Sequence, residues 1–483
     1  MLETQVAPQA QLADHSTPKP KINTGLAVQH LLRQQQNFFK SGQTRSVAFR
    51  LAQLRKLKWL LKDHEGAFFA ALQQDFQKPA WETYTTELAL VLQEIETMRD
   101  HLYRWASPQT VADSLINFPA YNQIYPEPYG VALIIGAWNY PLQLTLLPLV
   151  GAIAAGNCAV VKPSELAPHT SALLARLFTL TFAPEYLSIV EGGPETAQLL
   201  LAEKWDYIFF TGSTRVGRIV AQAAALHLTP VTLELGGKNP CVIDETASIE
   251  LAARRIAWGK FINAGQTCVA PDYVWIHRSQ KEDFIKELRR QLRLFYGDNP
   301  LNSPDYARII DDAHFARLSA LIEGGEVRIG GQTQSHERYI APTVIEEQDW
   351  QSPRMREEIF GPILPVLVFD DWSEVMPRLQ NLPKPLALYL FSHHPRRVET
   401  LLDSLAFGGA CVNDTLSQLV NERLPFGGVG SSGMGAYHGK ASFDTFTHYK
   451  SVLKKATWLD IPLRYAPYQG KLELTKWFFW LAR

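Results

Sequence analysis

Two side chains in this chain could together carry out covalent chemistry on a carbonyl group. Cys268 lies in the run Phe261-Ile262-Asn263-Ala264-Gly265-Gln266-Thr267-Cys268-Val269-Ala270-Pro271. Glu234 lies in Leu233-Glu234-Leu235-Gly236-Gly237-Lys238-Asn239-Pro240. A thiol among small, turn-forming residues can be held open to a substrate. A carboxylate at the end of an apolar strand can be held where water is scarce. A nucleophile and a base are the minimum for covalent catalysis. An isolated cysteine is more often a small buried hydrophobe, and Cys158, Cys241 and Cys411, in apolar strands or turns, are read that way. Gly265, Gln266 and Thr267 precede Cys268 without an apolar pattern, which sets it apart.

Five further motifs have types and positions that suit a ligand, each beside a plainer reading. Trp138-Asn139-Tyr140-Pro141 follows an apolar strand. Asn139 there can donate its amide N–H to an oxyanion, or simply cap the next helix, with Pro141 as a favoured first residue. Lys162 and Glu165 leave the strand Val160-Val161-Lys162-Pro163-Ser164-Glu165. They suit ribose hydroxyls, an acid favouring a 2′-hydroxyl over a 2′-phosphate, or they are two solvated charges. Phe210-Thr211-Gly212-Ser213-Thr214-Arg215-Val216-Gly217 opens a helix whose N–H groups can hold pyrophosphate. It lacks the full GxGxxG spacing and a Walker lysine. Glu357-Glu358-Ile359-Phe360-Gly361-Pro362 could place a carboxylate on a second ribose and a ring behind a nicotinamide, or form an acidic loop. The Gly-rich run 424–433 has no clear strand–helix context and reads as a flexible wall near a site.

These motifs need a scaffold, and the chain is long enough to build one. With 483 residues, two or three domains are expected. Hydrophobic residues at 46% and charged residues at 20% are ordinary for a globular protein. A formal charge of −1 and the lack of a basic stripe exclude nucleic acid as the expected partner. The four cysteines form no CxxC pair and there is no HExxH, so no metal site is expected. Their wide spacing fits a reducing compartment, and hence the cytoplasm.

Phe49, Leu51, Leu54, Leu57, Leu60 and Leu61 recur at helical spacing, within a helical region over 25–105. An extended excursion follows at 108–128. From Gly130, apolar runs alternate with amphipathic segments, as in a parallel sheet covered on both faces. A second series of strands (241–243, 273–276, 364–369, 386–391) and helices (near 249–263, 279–295, 305–323 and 395–404) follows. The expected organisation is an α/β fold: a mobile tail over 1–24, a cofactor domain over 25–235, a catalytic domain over 236–423, and a wall, return segment and tail over 424–483. Trp477, Phe478, Phe479, Trp480 and Leu481 near the end are too few to span a membrane. They fit a cap on a protein or dimer surface, or a peripheral membrane contact.

The order WNYP, VVKPSE, FTGSTRVG, LELGGKNP, GQTC, EEIFGP, LPFGGVGSSGMG resembles the NAD(P)-dependent aldehyde dehydrogenase superfamily over residues 25–455. The pattern Gly433-Met434-Gly435-Ala436-Tyr437-His438-Gly439-Lys440 is similar to its class 3, fatty or aromatic aldehyde, branch. The resemblance implies two Rossmann-related parallel-sheet domains and a bridging arm that builds a homodimer. It implies Cys268 as nucleophile, Glu234 as base and Asn139 as oxyanion donor. It further implies Lys162, Glu165, Gly212, Ser213, Gly217, Trp138, Glu358 and Phe360 around the cofactor, with NAD preferred and NADP also accepted. Tyr140 and Tyr121 are expected beside an apolar aldehyde: aliphatic, aromatic, or an apocarotenal such as retinal. Three rivals remain at this point. A CoA-acylating semialdehyde dehydrogenase would not need Glu234. A non-catalytic binding relative would not need the intact Cys268, Glu234 and Asn139. A thiol hydrolase would leave the nucleotide motifs idle.

Overall fold

The computed structural model describes residues 24–113 and 115–481. Apart from Thr24, the tail expected over 1–24 lies outside the described residues.

The N-terminal region is helical because its apolar residues repeat on one face. Thr24 caps Gly25–Lys40 by accepting from Ala27 N, and Ser46 caps Val47–Asp63 by accepting from Phe49 N. Leu54, Leu57, Leu60 and Leu61 are fully buried. Glu65–Phe76 follows, then a π-helical turn, Tyr84–Leu88, leading into Ala89–Trp105.

These helices pack towards a six-stranded sheet in the order Gly433–Met434, Val231–Glu234, Tyr207–Thr211, Val131–Ile135, Cys158–Lys162, Leu187–Ile189. The last five strands are parallel. Val131–Ile135, Cys158–Lys162 and Tyr207–Thr211 are buried at every position, which is why they read as unbroken apolar runs. Gln143–Ala155 is also buried throughout, between this sheet and the N-terminal helices. Strand order reverses between Val131–Ile135 and Tyr207–Thr211. The crevice beyond their carboxyl ends is where such sheets bind ligands.

The second sheet runs Glu326–Ile329, Thr343–Glu346, Ile363–Phe369, Tyr273–His277, Pro240–Ile243, Ala387–Phe391, Gly409–Val412. All its pairings are parallel except the first. The helices Ile249–Phe261 and Lys281–Tyr296 pack on each other beside it. A third, antiparallel sheet joins Gln109–Val111, Ala120–Pro128 and Thr447–Lys455. Leu472–Leu481 forms a terminal helix with no buried residue. No helix among the described residues is long and apolar enough to cross a membrane.

The α/β class and the parallel sheets agree with the sequence reading. Several local expectations do not. The helix expected over 305–323 is confined to Asp312–Ile322, capped by Asp311. Residues 306–310 are instead a buried extended connection, with Arg308 N donating to Phe76 O and Ile309 N to Arg338 O. The run 424–433, expected to lack strand context, has it at its end. It ends in a strand antiparallel to Val231–Glu234, with Gly433 opposite Glu234 and Ser432 fully buried. Glycine is required at 433: its φ is +155°, and a Cβ would collide with Leu233 O. Tyr121 lies on the arm strand Ala120–Pro128, about half exposed, its hydroxyl 2.8 Å from that of Thr110.

Candidate active site

The loop carrying Cys268 follows Ile249–Phe261 and is held in an unusual shape. Asn263, Ala264 and Gly265 all have positive φ, at 53°, 51° and 74°. Such a run persists only when its surroundings over-determine it. Glu82 accepts from Asn263 N at 3.0 Å. Asn263 Nδ2 donates to Asn139 O at 2.8 Å and to Gln266 O at 3.2 Å. The fully buried Gln266 donates through Nε2 to Asn263 O and Arg308 O, and accepts from Ile310 N, each at 3.0 Å. Asn239, from the Glu234 motif, donates to Cys268 O at 2.7 Å and Ala270 O at 3.0 Å.

The first sheet supplies the facing residues. Asn139 is 3% exposed and donates through Nδ2 to Gln266 O at 3.1 Å. One amide N–H is thereby spent on orientation and the other is left for a ligand. The Tyr140 and Thr267 hydroxyls are 2.6 Å apart. Glu234 ends its strand 3% exposed, and neither carboxyl oxygen has a hydrogen-bond partner among the described residues.

Burial pushes the Glu234 carboxyl well above the carboxylate range. Burial also pushes the Cys268 thiol up, and the Glu358 and Glu234 carboxyls add to the effect. Both carboxyls therefore lie within electrostatic reach of the thiol. Burial and then Asp272 push Glu358 up to about 8. Lys238 pairs with Asp272, and the fully buried Lys260 is lowered to about 8 by desolvation, its ammonium without a hydrogen-bond partner among the described residues.

The nucleotide motifs flank the same crevice. Lys162 Nζ is 2.9 Å from Glu165 Oε2 at the end of its strand. Ser213 caps Thr214–Leu226, its Oγ accepting from Val216 N, which leaves a helix N-terminus at the crevice. Gly217 packs against Leu235, where a Cβ would collide with the leucine side chain. A Cβ at Gly236 would strike the Glu358 carboxyl, so that carboxylate rests directly on the turn after Glu234. The Trp138 and Phe360 rings meet edge to face, with centroids 5.3 Å apart. A buried ammonium, a carboxylate, a helix N-terminus and an aromatic pair along one crevice fit a dinucleotide.

Thus Cys268, Glu234, Asn139 and Tyr140 converge, with Glu358, Phe360 and Trp138 adjoining. Tyr121 does not converge: its strand pairs within the arm sheet, and its hydroxyl partner is Thr110. Sequence reasoning missed Glu82, Asn263 and Asn239 as supports. Asn239 and Asn263 sit inside the two central motifs, so polar residues there were the available signal. Nothing near Glu82 in the chain pointed to it.

The comparisons agree with this architecture. The profile of the aldehyde dehydrogenase family matches residues 21–452. The chain is 48% identical over 444 residues to the 4,4'-diaponeurosporen-aldehyde dehydrogenase of Staphylococcus aureus, covering 92% of this chain and 97% of that protein. It is 45% identical over 443 residues to aldehyde dehydrogenase family 3 member A2 of Rattus norvegicus, covering 91% and 92%. The solved structure of the substrate-bound state of Staphylococcus aureus AldH superposes with a TM-score of 0.92 at 46% identity, covering 94% and 99%. The chain belongs to the aldehyde dehydrogenase family. It is an oxidoreductase that acts on aldehydes with NAD(P).

Proposed function

We propose that the enzyme oxidises long, apolar aldehydes, polyene aldehydes among them, to carboxylic acids, with Cys268 as nucleophile. The observation that carries this reading is the aromatic surround of the thiol. Tyr140 and Tyr437 are both buried and within electrostatic reach of Cys268, and Phe426 packs on Tyr437 with centroids 5.7 Å apart. Such walls favour an apolar chain over a hydrated one. The relatives named 4,4'-diaponeurosporen-aldehyde dehydrogenase and aldehyde dehydrogenase family 3 member A2 support the same class.

Cys268, once deprotonated, attacks the aldehyde carbon. The free N–H of Asn139 receives the developing oxyanion, a donor of the kind that contributes roughly 3–4 kcal/mol. Bound NAD(P) supplies the hydride acceptor, with Lys162, Glu165, the Ser213 turn and Glu358 as its holders. Cys268 is left carrying an acyl thioester. Glu234, once ionised, takes a proton from water, which releases the acid and frees the thiol. Its buried, unpartnered carboxyl suits a base that meets its water only after the first step.

The arm sheet supports a homodimer, its outer strand Gln109–Val111 being exposed along its length. The terminal helix exposes Leu472, Leu474, Trp477, Phe479 and Trp480, with Lys476 among them, which supports a peripheral contact with a membrane that holds such substrates. The test is kcat/KM across short-chain, long-chain and polyene aldehydes, for the full chain and for a chain ending at Lys471. Efficiency should rise with chain length, and truncation should lower it for long substrates alone. Equal or better use of short polar aldehydes would overturn the assignment.

A further inference from the structure

A cavity of about 280 Å³ lies behind the catalytic loop, lined by Trp81, Trp258, Phe295, Tyr296, Glu82 and Asp305. None of these residues belongs to the site above except Glu82, which reaches it from behind. Phe295 and Tyr296 stand nearly perpendicular, 88° between planes with centroids 6.1 Å apart. Trp81, 62% exposed, forms the mouth. Glu82 is only 6% exposed. Its Oε2 is engaged by Asn263 N, while its Oε1 makes no hydrogen bond among the described residues.

We infer that this cavity is a binding site for a small organic ammonium ion. Four aromatic side chains line the cavity, and aromatic rings attract a cation that has shed its water. Two carboxylates supply the counter-charge. A neutral apolar ligand would leave Glu82 Oε1 without a partner, which is unfavourable. A metal ion would find aromatic carbon where it needs oxygen. The nearest cation, Lys78, does not fill the role: its ammonium is committed to Glu87 at 2.6 Å and lies 4.0 Å over the Tyr140 ring. Lys78, the Asn263 N–H, Asp305, Glu87 and the tyrosines Tyr140, Tyr296 and Tyr306 lie within reach of Glu82, and burial outweighs the attraction of Lys78 to push its carboxyl up to about 7. A bound cation favours the ionised form, so affinity strengthens as pH rises through neutrality. The occupant would sit on the carboxylate whose other oxygen holds the Asn263 turn, one residue's reach from Asn139.

The experiment is calorimetric titration of the full chain with choline and with its neutral carbon isostere, in which tert-butyl replaces trimethylammonium. Choline should bind at least about tenfold more tightly than the isostere. Glu82→Gln keeps an acceptor for Asn263 N but loses the charge, and should weaken choline binding by about tenfold or more. Trp81→Ala, at the exposed mouth, should weaken it similarly while aldehyde oxidation persists, so a folding failure of the first variant leaves the test intact. Absence of choline binding, equal binding of the isostere, or unaltered affinity in both variants overturns the inference.

Discussion

The hydroxyls of Tyr140 and Thr267 meet at 2.6 Å, joining the residue after Asn139 to the residue before Cys268. With the bonds from Asn139 Nδ2 to Gln266 O and from Asn263 Nδ2 to Asn139 O, this contact sets the spacing of the proposed oxyanion donor and nucleophile. A shift of about 1 Å at such a site can cost roughly a hundredfold in rate.

Replacing Cys268 with Ala should lower aldehyde oxidation by roughly 10⁴-fold or more, the scale of losing a covalent nucleophile. Dinucleotide binding, followed by fluorescence, should be retained. Glu234→Gln should behave differently, giving a first-turnover burst of reduced cofactor followed by slow release of acid. A burst-free Glu234 variant would place that residue in the first step instead.

Asn139→Ala should reduce kcat by roughly 10²–10³-fold with a smaller change in KM, because its free N–H meets charge that develops only as the bond forms. Steady-state kinetics on one good aldehyde decide this. A pure rise in KM would show Asn139 acting only in ground-state binding.

Glu165 carries the charge that opposes a 2′-phosphate. Glu165→Gln should raise the ratio of kcat/KM for NADP over that for NAD by about tenfold, the scale of removing one close repulsion. An unaltered ratio would mean that the carboxylate swings away from the bound ribose.

Gly265 has φ +74°, and a Cβ there would collide with Gly361 O. Gly265→Ala should cost more than about 1 kcal/mol of stability, since backbone strain adds to the collision. It should also depress kcat, because the strained turn aims Cys268. Thermal unfolding and kcat should move together.

Glu358 titrates near 8 in the folded chain against an ordinary 4.5. The folded state therefore holds this proton more tightly than the unfolded state. Its stabilising effect is complete below the ordinary value and is lost as pH rises towards 8. The Tm of the cofactor-free enzyme should fall by a few degrees more between about pH 5 and 9 than that of Glu358→Gln. Parallel curves would refute the assignment.

The motifs were legible because each occupies the end or exit of a strand, where chemistry-bearing side chains depart from the apolar pattern. The central strands were legible because they are buried on both faces, as in Val131–Ile135. The supports were not. Tyr140 and Thr267 are 127 residues apart, and Glu82 and Asn263 are 181 apart, with no local pattern linking either pair. Glu326–Ile329 and Gly409–Val412 escaped detection because they are four residues each, not fully buried, and in the second case built of small residues. The start of the helix at Asp312 was misplaced because Tyr306–Ile310 is apolar enough to pass for helix, yet bonds to Phe76, Arg338 and Gln266 instead.

The strand bearing Glu234 has Gly433 as its lateral neighbour, nearly 200 positions further along. During synthesis the proposed base therefore has an unfinished flank until residue 433 has emerged from the ribosome. The segment that closes the flank of Glu234 is thus the last strand of its sheet to be made.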